Sequence, residues 1–280
     1  MQDKKRIQWF IDGAVVLLLV ACIWVPDADK ALGRACVWTQ FQHWDDAIML
    51  PGWAYTQGQS LNGDIFSLWG MGAVIIISRF AQILGGFDYT HVLQVLMLMA
   101  ILYYLSLYVF VRIWSENILL AIFAVALAVK IQLFNSGVSP LVWNFPQDTP
   151  ARHFLDIPVL WCLWQHSRRM QGKYLVWAGI GIGVALAWVL STGLCLLVAF
   201  WGYLIFLLMI KEYRSHLGSG FKDFRRIFFY GLSPLFIMLL VLFLLQGPIV
   251  FHLEFWKNVF EPIRLFLQGG HNCIHLCLFI

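Results

Sequence analysis

Long apolar stretches dominate this chain and constrain its fold more than any other feature. A helix that crosses a lipid bilayer needs about 20 mostly apolar residues. The candidate spanning segments are 9–25, 65–86, 89–112, 117–134, 153–166, 174–191, 194–211 and 227–246. A ninth apolar stretch, 248–280, is interrupted by Pro262 and Gly269-Gly270. The sequence therefore predicts an all-α integral membrane protein.

Composition supports this interpretation. Of the 280 residues, 61% are hydrophobic and only 12% are charged, whereas soluble domains run at about 45–50% apolar and about 25% charged. A soluble fold of this size cannot bury so much apolar surface, so we expect the lipid bilayer as a partner. The formal charge of +4 is too small to indicate a nucleic-acid partner.

The distribution of basic residues predicts the orientation, because cytoplasmic loops carry an excess of Lys and Arg. The acidic segment 26–64 is expected outside. The first segment is read as a retained span, since Trp24-Val25-Pro26 is not a small-residue cleavage site, which puts the N-terminus in the cytoplasm. The groups expected inside are Lys4/Lys5/Arg6, Arg168/Arg169/Lys173 and Lys211/Arg214/Lys222/Arg225/Arg226.

These assignments require an odd number of crossings between 26–64 and 167–173, yet four apolar segments lie between them. We interpret 65–86 as the segment that does not cross, because it contains Gly70, Gly72, Ser78, Arg79 and Gln82. The prediction is a single transmembrane domain, 1–280, with about seven transmembrane helices plus a surface or re-entrant helix. Loop 135–152 and segment 248–280 are then external. Eight full spans are the alternative.

The first external loop holds the most informative residues. Asp45, Asp46 and Asp64 lie among aromatic residues, and Gln57-Gly58 and Asn62-Gly63 are turn signals. The turns predict short juxtamembrane helices, which would hold the carboxylates near the headgroups. Such a carboxylate can act as a general base or bind a divalent cation through oxygen. The alternative is that these acids form the solvated face of an external loop.

The spacing Asp46-x4-Pro51-x6-Gly58-x5-Asp64-x-Phe66-Ser67-x2-Gly70 closely resembles a stretch in bacterial members of the C-type (GT-C) glycosyltransferase superfamily. These are multispanning enzymes resembling the aminoarabinose and protein mannosyl transferases. The resemblance implies that Asp46 is the catalytic carboxylate and Asp45 its neighbour. Asp64 matches a second acidic position, with a structural or acceptor-binding role. It also implies a multi-pass protein of the bacterial inner (plasma) membrane.

A second external element carries basic residues. Arg152 and His153 end a Pro-rich stretch just before the segment that starts near Phe154, and the family has a basic residue at a comparable position that meets the donor phosphate. The alternative for Arg152 is an interfacial anchor that snorkels. Lys130 lies near the outer end of an apolar segment, where it is either a second phosphate contact or another snorkelling side chain.

The resemblance implies a glycosyltransferase that moves a sugar from a polyprenyl-phosphate donor to a hydroxyl of a glycan, lipid or protein acceptor. Whether a divalent cation, Mg²⁺ or Mn²⁺, takes part is left open. The alternative class is a non-enzymatic polytopic protein, such as a lipid-linked glycan transporter, a flippase or an assembly factor. Related enzymes are usually much longer, so a truncated chain is also an expectation.

Two further patterns receive structural interpretations. Gly179, Gly181 and Gly183 repeat along one apolar segment, and small residues of this kind let helices approach closely. The segment from His271 to Cys277 has alternating His and Cys, but its spacing fits no zinc motif, so we expect no metal site there.

Overall fold

The computed structural model describes residues 2–24, 27, 44–67, 70–133, 150–209 and 221–267. Within these ranges the chain is all-helical, apart from an isolated bridge between Leu61 and Ile65. The basic residues Lys211 and Arg214, most of loop 135–152 and the His271–Cys277 segment lie outside the described residues.

The helices follow the apolar segments of the sequence. A π-helical turn, Asp45–Met49, leads directly into the short helix α2, and a 3₁₀ turn, Gly247–Phe251, follows α9. The described helices are α1 Gln2–Ile23, α2 Leu50–Thr56, α3 Met71–Leu84, α4 Tyr89–Ser115, α5 Ile118–Leu133, α6 Asp156–Arg169, α7 Lys173–Trp188, α8 Leu190–Met209, α9 Phe221–Gln246 and α10 Leu253–Leu267.

Three helices in the described part of the chain are long and apolar enough to cross a membrane. They are α4, α8 and the stretch Arg225–Phe251 of α9 with its 3₁₀ turn, and they match three of the predicted spans. Shorter apolar helices are Gln8–Ile23, α3, Ile118–Gln132 and α7. These helices are compatible with a membrane protein, while the count of seven spans stays a prediction.

The chain divides into two compact units. Unit 1 comprises Met1–Trp69, Ala73–Phe154 and Glu254–Ile280, and unit 2 comprises Gly70–Gly72 and Leu155–Leu253. All the candidate site residues named from the sequence belong to unit 1. The expectation of a single transmembrane domain stays a prediction.

Side-chain hydrogen bonds join α4 to α1 and α5 in unit 1. The Tyr108 hydroxyl donates a hydrogen bond to Oδ1 of Asp12, and this oxygen also lies 3.9 Å from Nε of Arg112. The Tyr104 hydroxyl donates to Oε1 of Gln132 at 2.9 Å. Polar groups in an apolar environment need such partners. The Asp12 contacts link α4 to α1, and the Gln132 contact links α4 to α5.

Local capping sets the ends of α4. Asp88 accepts a hydrogen bond from the backbone N–H of His91 at 2.8 Å, which satisfies one donor of the first turn. At the other end Glu116 adopts a left-handed conformation with φ of 56°. Asn117 then caps α5 by accepting from the N–H of Leu119 at 2.9 Å. A two-residue connection therefore separates α4 from α5.

Glycines bring α7 close to α9 in unit 2. A Cβ added at Gly179 would lie 2.4 Å from Oγ of Ser233. A Cβ at Gly183 would lie 2.5 Å from Cβ of Ile237 and 2.6 Å from the carbonyl oxygen of Pro234. Real Cβ atoms do not tolerate such distances, so the prediction that these glycines serve helix packing is confirmed for Gly179 and Gly183.

The same contact region contains a proline inside α9. Pro234 has no N–H, so the carbonyl of Tyr230 loses its helical donor. The Ser233 hydroxyl donates to that carbonyl oxygen at 2.8 Å, and Nε1 of Trp201 donates to the Gly231 carbonyl at 2.9 Å. In lipid, a carbonyl freed in this way, here that of Tyr230, needs such a partner.

We predict that Gly183→Ala destabilises the protein by about 1–3 kcal/mol, because the added methyl group is forced against backbone and Cβ atoms of α9. The measurement is thermal unfolding of the purified protein in detergent. Gly202→Ala is the matched control, since a Cβ at Gly202 meets nothing within 4 Å. That substitution should leave stability unchanged or raise it by up to about 1 kcal/mol. Equal melting temperatures for the two variants would contradict the packing argument.

Candidate functional site

The candidate site is built on the segment from Trp44 to Thr56. Trp44 and the side chains of Ala47, Ile48 and Met49 are buried, and they anchor the π-helical turn to unit 1. Pro51 lies in the first turn of α2, directly after the π-helical turn. The helix ends at Gln57-Gly58, and Gly58 has φ of +88°, a conformation that favours glycine. A short helix followed by a turn is what the sequence predicted here.

Gly52 allows α2 to pack directly on its neighbours. A Cβ at this position would lie 2.4 Å from Cζ of Phe87 and 2.6 Å from Oγ of Ser78. Ser78 belongs to α3, and its hydroxyl donates back to the Val74 carbonyl at 2.7 Å. The absence of a side chain at Gly52 therefore decides how closely α2 approaches α3 and the residues before α4.

Asp45 is held by Tyr89, the first residue of α4. The Tyr89 hydroxyl donates a hydrogen bond to Oδ1 of Asp45. The Tyr89 ring also packs against the buried ring of Trp44, with centroids 6.0 Å apart. A hydrogen bond to a carboxylate is stronger than one between neutral groups, so this contact ties the π-helical turn to the start of α4.

An open cleft of about 420 Å³ lies beside this contact. It is lined by Asp45, Met49, Leu50, Trp53 and Phe87. Leu50 and Trp53 are more than half exposed, at 54% and 55%. A cleft with apolar and aromatic walls and few polar groups is typical of small-ligand sites. Its carboxylate can accept a hydroxyl hydrogen bond while the rings contact the apolar face of a sugar or a lipid.

Asp46, the predicted catalytic residue, lies next to Asp45 in the same turn and is exposed. Asp45, and not Asp46, is among the residues that line the cleft. The two adjacent carboxylates therefore have different surroundings, one half-buried against Tyr89 and the other at the surface. The catalytic role of Asp46 stays a prediction.

Asp64 has a structural role in the turn that follows α2. Its Oδ2 accepts hydrogen bonds from the backbone N–H of Ser60 at 2.8 Å and from the Ser60 hydroxyl at 2.7 Å. These hydrogen bonds lower the pKa of Asp64, that from the backbone N–H most. Of the two roles left open for Asp64, this geometry favours the structural one.

Asn62 stabilises the same turn from its centre. It adopts φ of 59°, and its side-chain oxygen accepts from the N–H of Ser67 at 2.8 Å. Its carbonyl accepts from the side-chain amide of Asn258 in α10 at 3.0 Å. The predicted turn at Asn62-Gly63 is thus present, and it contacts a helix nearly 200 residues further along the chain.

The basic residues named from the sequence lie on two other elements of unit 1. Arg152 and His153 are partly buried in the turn that precedes α6, where the His153 N–H donates to the Pro150 carbonyl at 3.1 Å. Lys130 is exposed on the last turn of α5. Their role in binding the donor phosphate stays a prediction.

No group of three His, Cys, Asp or Glu side chains that could hold a metal ion occurs among the residues that the structure describes. The involvement of Mg²⁺ or Mn²⁺ stays an open question.

Sequence reasoning missed Tyr89, Trp53 and Phe87. Tyr89 and Phe87 flank Asp88, the cap of α4, so they lie where a loop enters a long apolar helix. Aromatic residues concentrate at membrane interfaces, so the end of a predicted span was the available signal. Nothing in the sequence pairs Tyr89 with Asp45, because 44 positions separate them.

Comparison of the chain with protein-family models, with curated proteins and with solved structures finds no match.

We predict that Asp64→Asn destabilises the protein at neutral pH and that the difference disappears in acid. The folded-state pKa of Asp64 is lower than its ordinary value of 3.8. Its stabilisation is therefore present above pH 3.8 and is lost as the pH falls through the folded-state value. The measurement is the difference in Tm between wild type and Asp64→Asn across this range. A difference that stays the same from neutral pH into strong acid would contradict the assignment.

Proposed function

We propose that this protein is a polyprenyl-phosphate-dependent glycosyltransferase with a C-type membrane fold in a bacterial inner membrane. The proposal rests on the cleft beside the Asp45–Asp46 pair. In this cleft the Asp45 carboxylate lies next to the apolar and aromatic side chains of Leu50, Trp53 and Phe87. A carboxylate can accept hydrogen bonds from sugar hydroxyls, and aromatic walls can contact the C–H groups of a sugar or an isoprenoid. The cleft therefore fits the ligand class that the Asp46–Gly70 resemblance implies.

In the proposed reaction, Asp46 removes the proton from an acceptor hydroxyl as that oxygen attacks the anomeric carbon of the donor sugar. The new C–O bond forms as the bond from the anomeric carbon to the phosphate oxygen breaks, with inversion at that carbon. Polyprenyl phosphate leaves with the bonding electrons, and Arg152 and Lys130 stabilise its negative charge. Asp45, held by Tyr89, accepts a hydrogen bond from a sugar hydroxyl and positions the acceptor.

Contacts within unit 1 support the topology that this reaction needs. Tyr89 at the start of α4 contacts Asp45, which follows α1 in the chain, whereas Tyr108 near the end of α4 contacts Asp12 of α1. This pattern fits antiparallel α1 and α4, so the chain enters α4 on the side where it left α1. Helix α3, between them, then starts and ends on that side, as the seven-span topology requires.

The hydrogen bond between Asn258 and the Asn62 carbonyl supports the same topology. With seven spans, six crossings separate the first external loop from α10, so both lie outside. With eight spans, seven crossings would separate them, and α10 would lie inside. A direct contact between Asn62 and Asn258 favours an even number of crossings between them, and therefore seven spans.

We predict that a cysteine introduced at Gly86 is labelled by a membrane-impermeant maleimide added to intact cells and that one introduced at Ser115 is labelled only after permeabilisation. A Cβ at Gly86 meets only Oδ2 of Asp88, at 3.7 Å, so the cysteine fits. The variants are made in a chain whose native cysteines have been replaced. The reverse labelling pattern would favour eight spans and contradict the proposed topology.

We predict that Asp46→Asn lowers the kcat of sugar transfer by about 10²–10⁴-fold, the usual effect of losing a general base. Asp45→Asn should instead raise KM more than it lowers kcat, because Asp45 binds the acceptor. The assay follows radiolabelled polyprenyl-phosphate sugars and the protein in detergent, with and without a chelator. Asp64→Asn, assayed well below its Tm, is the matched control and should keep its kcat. Unchanged transfer by a folded Asp46→Asn variant would overturn the proposal.

A further inference from the structure

Arg79 is a cation on an apolar helix and lies outside the site described so far. It belongs to α3, whose sequence from Val74 to Leu84 is otherwise mostly apolar. The Arg79 side chain is exposed, and so are its neighbours Phe80, at 51%, and Ile83, at 78%. An exposed guanidinium among exposed apolar side chains is costly in lipid unless it finds a partner or reaches the interface.

The partner that the structure describes is Tyr55 of α2. The Arg79 guanidinium carbon lies 5.1 Å from the centroid of the Tyr55 ring, and its NH2 group donates to the Tyr55 hydroxyl at 3.2 Å. Both contacts orient the guanidinium without neutralising it. Within the described ranges, no carboxylate forms an ion pair with Arg79.

This position lies close to the candidate site. Ser78, the residue before Arg79, contacts the α2 backbone at Gly52, and Trp53 in the same helix lines the cleft. In the proposed topology α3 does not cross the membrane and lies at or near its outer surface. A long arginine side chain on such a helix can reach the headgroup layer.

We propose that Arg79, oriented by Tyr55, binds the phosphate group of a lipid. Phosphate is the anion that a membrane offers at headgroup depth, and the planar guanidinium can donate two parallel hydrogen bonds to its oxygens. Two sources share this chemistry, the bulk phospholipid headgroup and a polyprenyl phosphate. Assignment to the polyprenyl phosphate depends on the proposed function, whereas assignment to a lipid phosphate does not.

The test is a binding measurement on the full chain in dodecyl maltoside micelles, a detergent without phosphate. The probes are a polyprenyl monophosphate, the polyprenol of the same length and phosphatidylglycerol. Wild type is expected to bind the polyprenyl phosphate about tenfold more tightly than the polyprenol, as a charge-assisted hydrogen bond allows. Arg79→Gln should clearly reduce this preference, even with Arg152 and Lys130 of the proposed donor site intact, and Arg79→Lys should reduce it less.

Two further variants separate the phosphate site from general effects. Arg168→Gln is the matched control, because Arg168 is also exposed and also lies over an aromatic ring, 5.2 Å from the centroid of Trp164. It should keep the full preference for phosphate. Tyr55→Phe retains the ring but loses the hydroxyl, so it should weaken binding by only about two- to threefold. The Tm of each variant is measured in the same micelles, and Arg79→Lys carries the test if Arg79→Gln does not fold.

The outcomes distinguish the two sources. Selective binding of the polyprenyl phosphate supports a site for a lipid-linked donor, and equal competition by phosphatidylglycerol assigns the site to bilayer headgroups. An Arg79→Gln variant that keeps the wild-type preference would overturn the inference, as would equal binding of polyprenol and polyprenyl phosphate by wild type. Failure of wild type to transfer sugar while the phosphate preference persists would count against the glycosyltransferase alone.

Discussion

The hydrogen bond between Tyr89 and Asp45 organises unit 1 around the candidate site. It joins the π-helical turn that contains Asp45 and Asp46 to the first residue of α4. The position of the two carboxylates therefore depends on the long helix α4 as well as on their own short turn. The buried Trp44 ring packs against the same tyrosine and gives that turn a second contact with α4. Sites on rigid elements hold their groups more accurately than sites on free loops, and this turn gains its rigidity from α4.

Polar side chains elsewhere in the protein serve the same purpose of fixing apolar helices against one another. Hydrophobic burial does not drive association between helices in lipid, since the lipid is equally apolar. Specific contacts therefore have to decide which helices meet. In unit 1 these are the hydrogen bonds of Tyr104 and Tyr108. In unit 2 they are the close contacts at Gly179 and Gly183 and the hydroxyl of Ser233, which partners the carbonyl released by Pro234.

The sequence was sufficient for the features that depend on local pattern. Apolar runs predicted the helices that became α4, α8 and α9, and Gly58 and Asn62 marked the turns after α2. It was insufficient for contacts between distant positions, such as Asp45 with Tyr89 and Asn62 with Asn258. Helix α6 shows the limit of hydropathy alone, because its predicted segment began at residue 153 and the helix begins at Asp156, after a turn.

For the candidate site, the sequence predicted the acidic residues but not their hydrogen-bond partners. Spacing drew attention to Asp45, Asp46 and Asp64, but the hydrogen bonds that distinguish them come from Tyr89 and Ser60. Asp64 shares its acidic character with the other two and yet stabilises a turn. The aromatic wall of the cleft could not be predicted, because Trp53 and Phe87 lie on different elements. They come together where Phe87 packs closely against α2 at Gly52.

The shorter apolar helices have a consequence for the surrounding membrane in the proposed topology. The apolar part of α1, Gln8–Ile23, and α7, Lys173–Trp188, extend for only about 24 Å, against a typical hydrocarbon thickness of about 30 Å. A bilayer accommodates such hydrophobic mismatch by thinning locally. Thinning beside α1 and α7 would draw the headgroups towards the bilayer midplane, so that these short helices span it without exposing polar residues to the hydrocarbon.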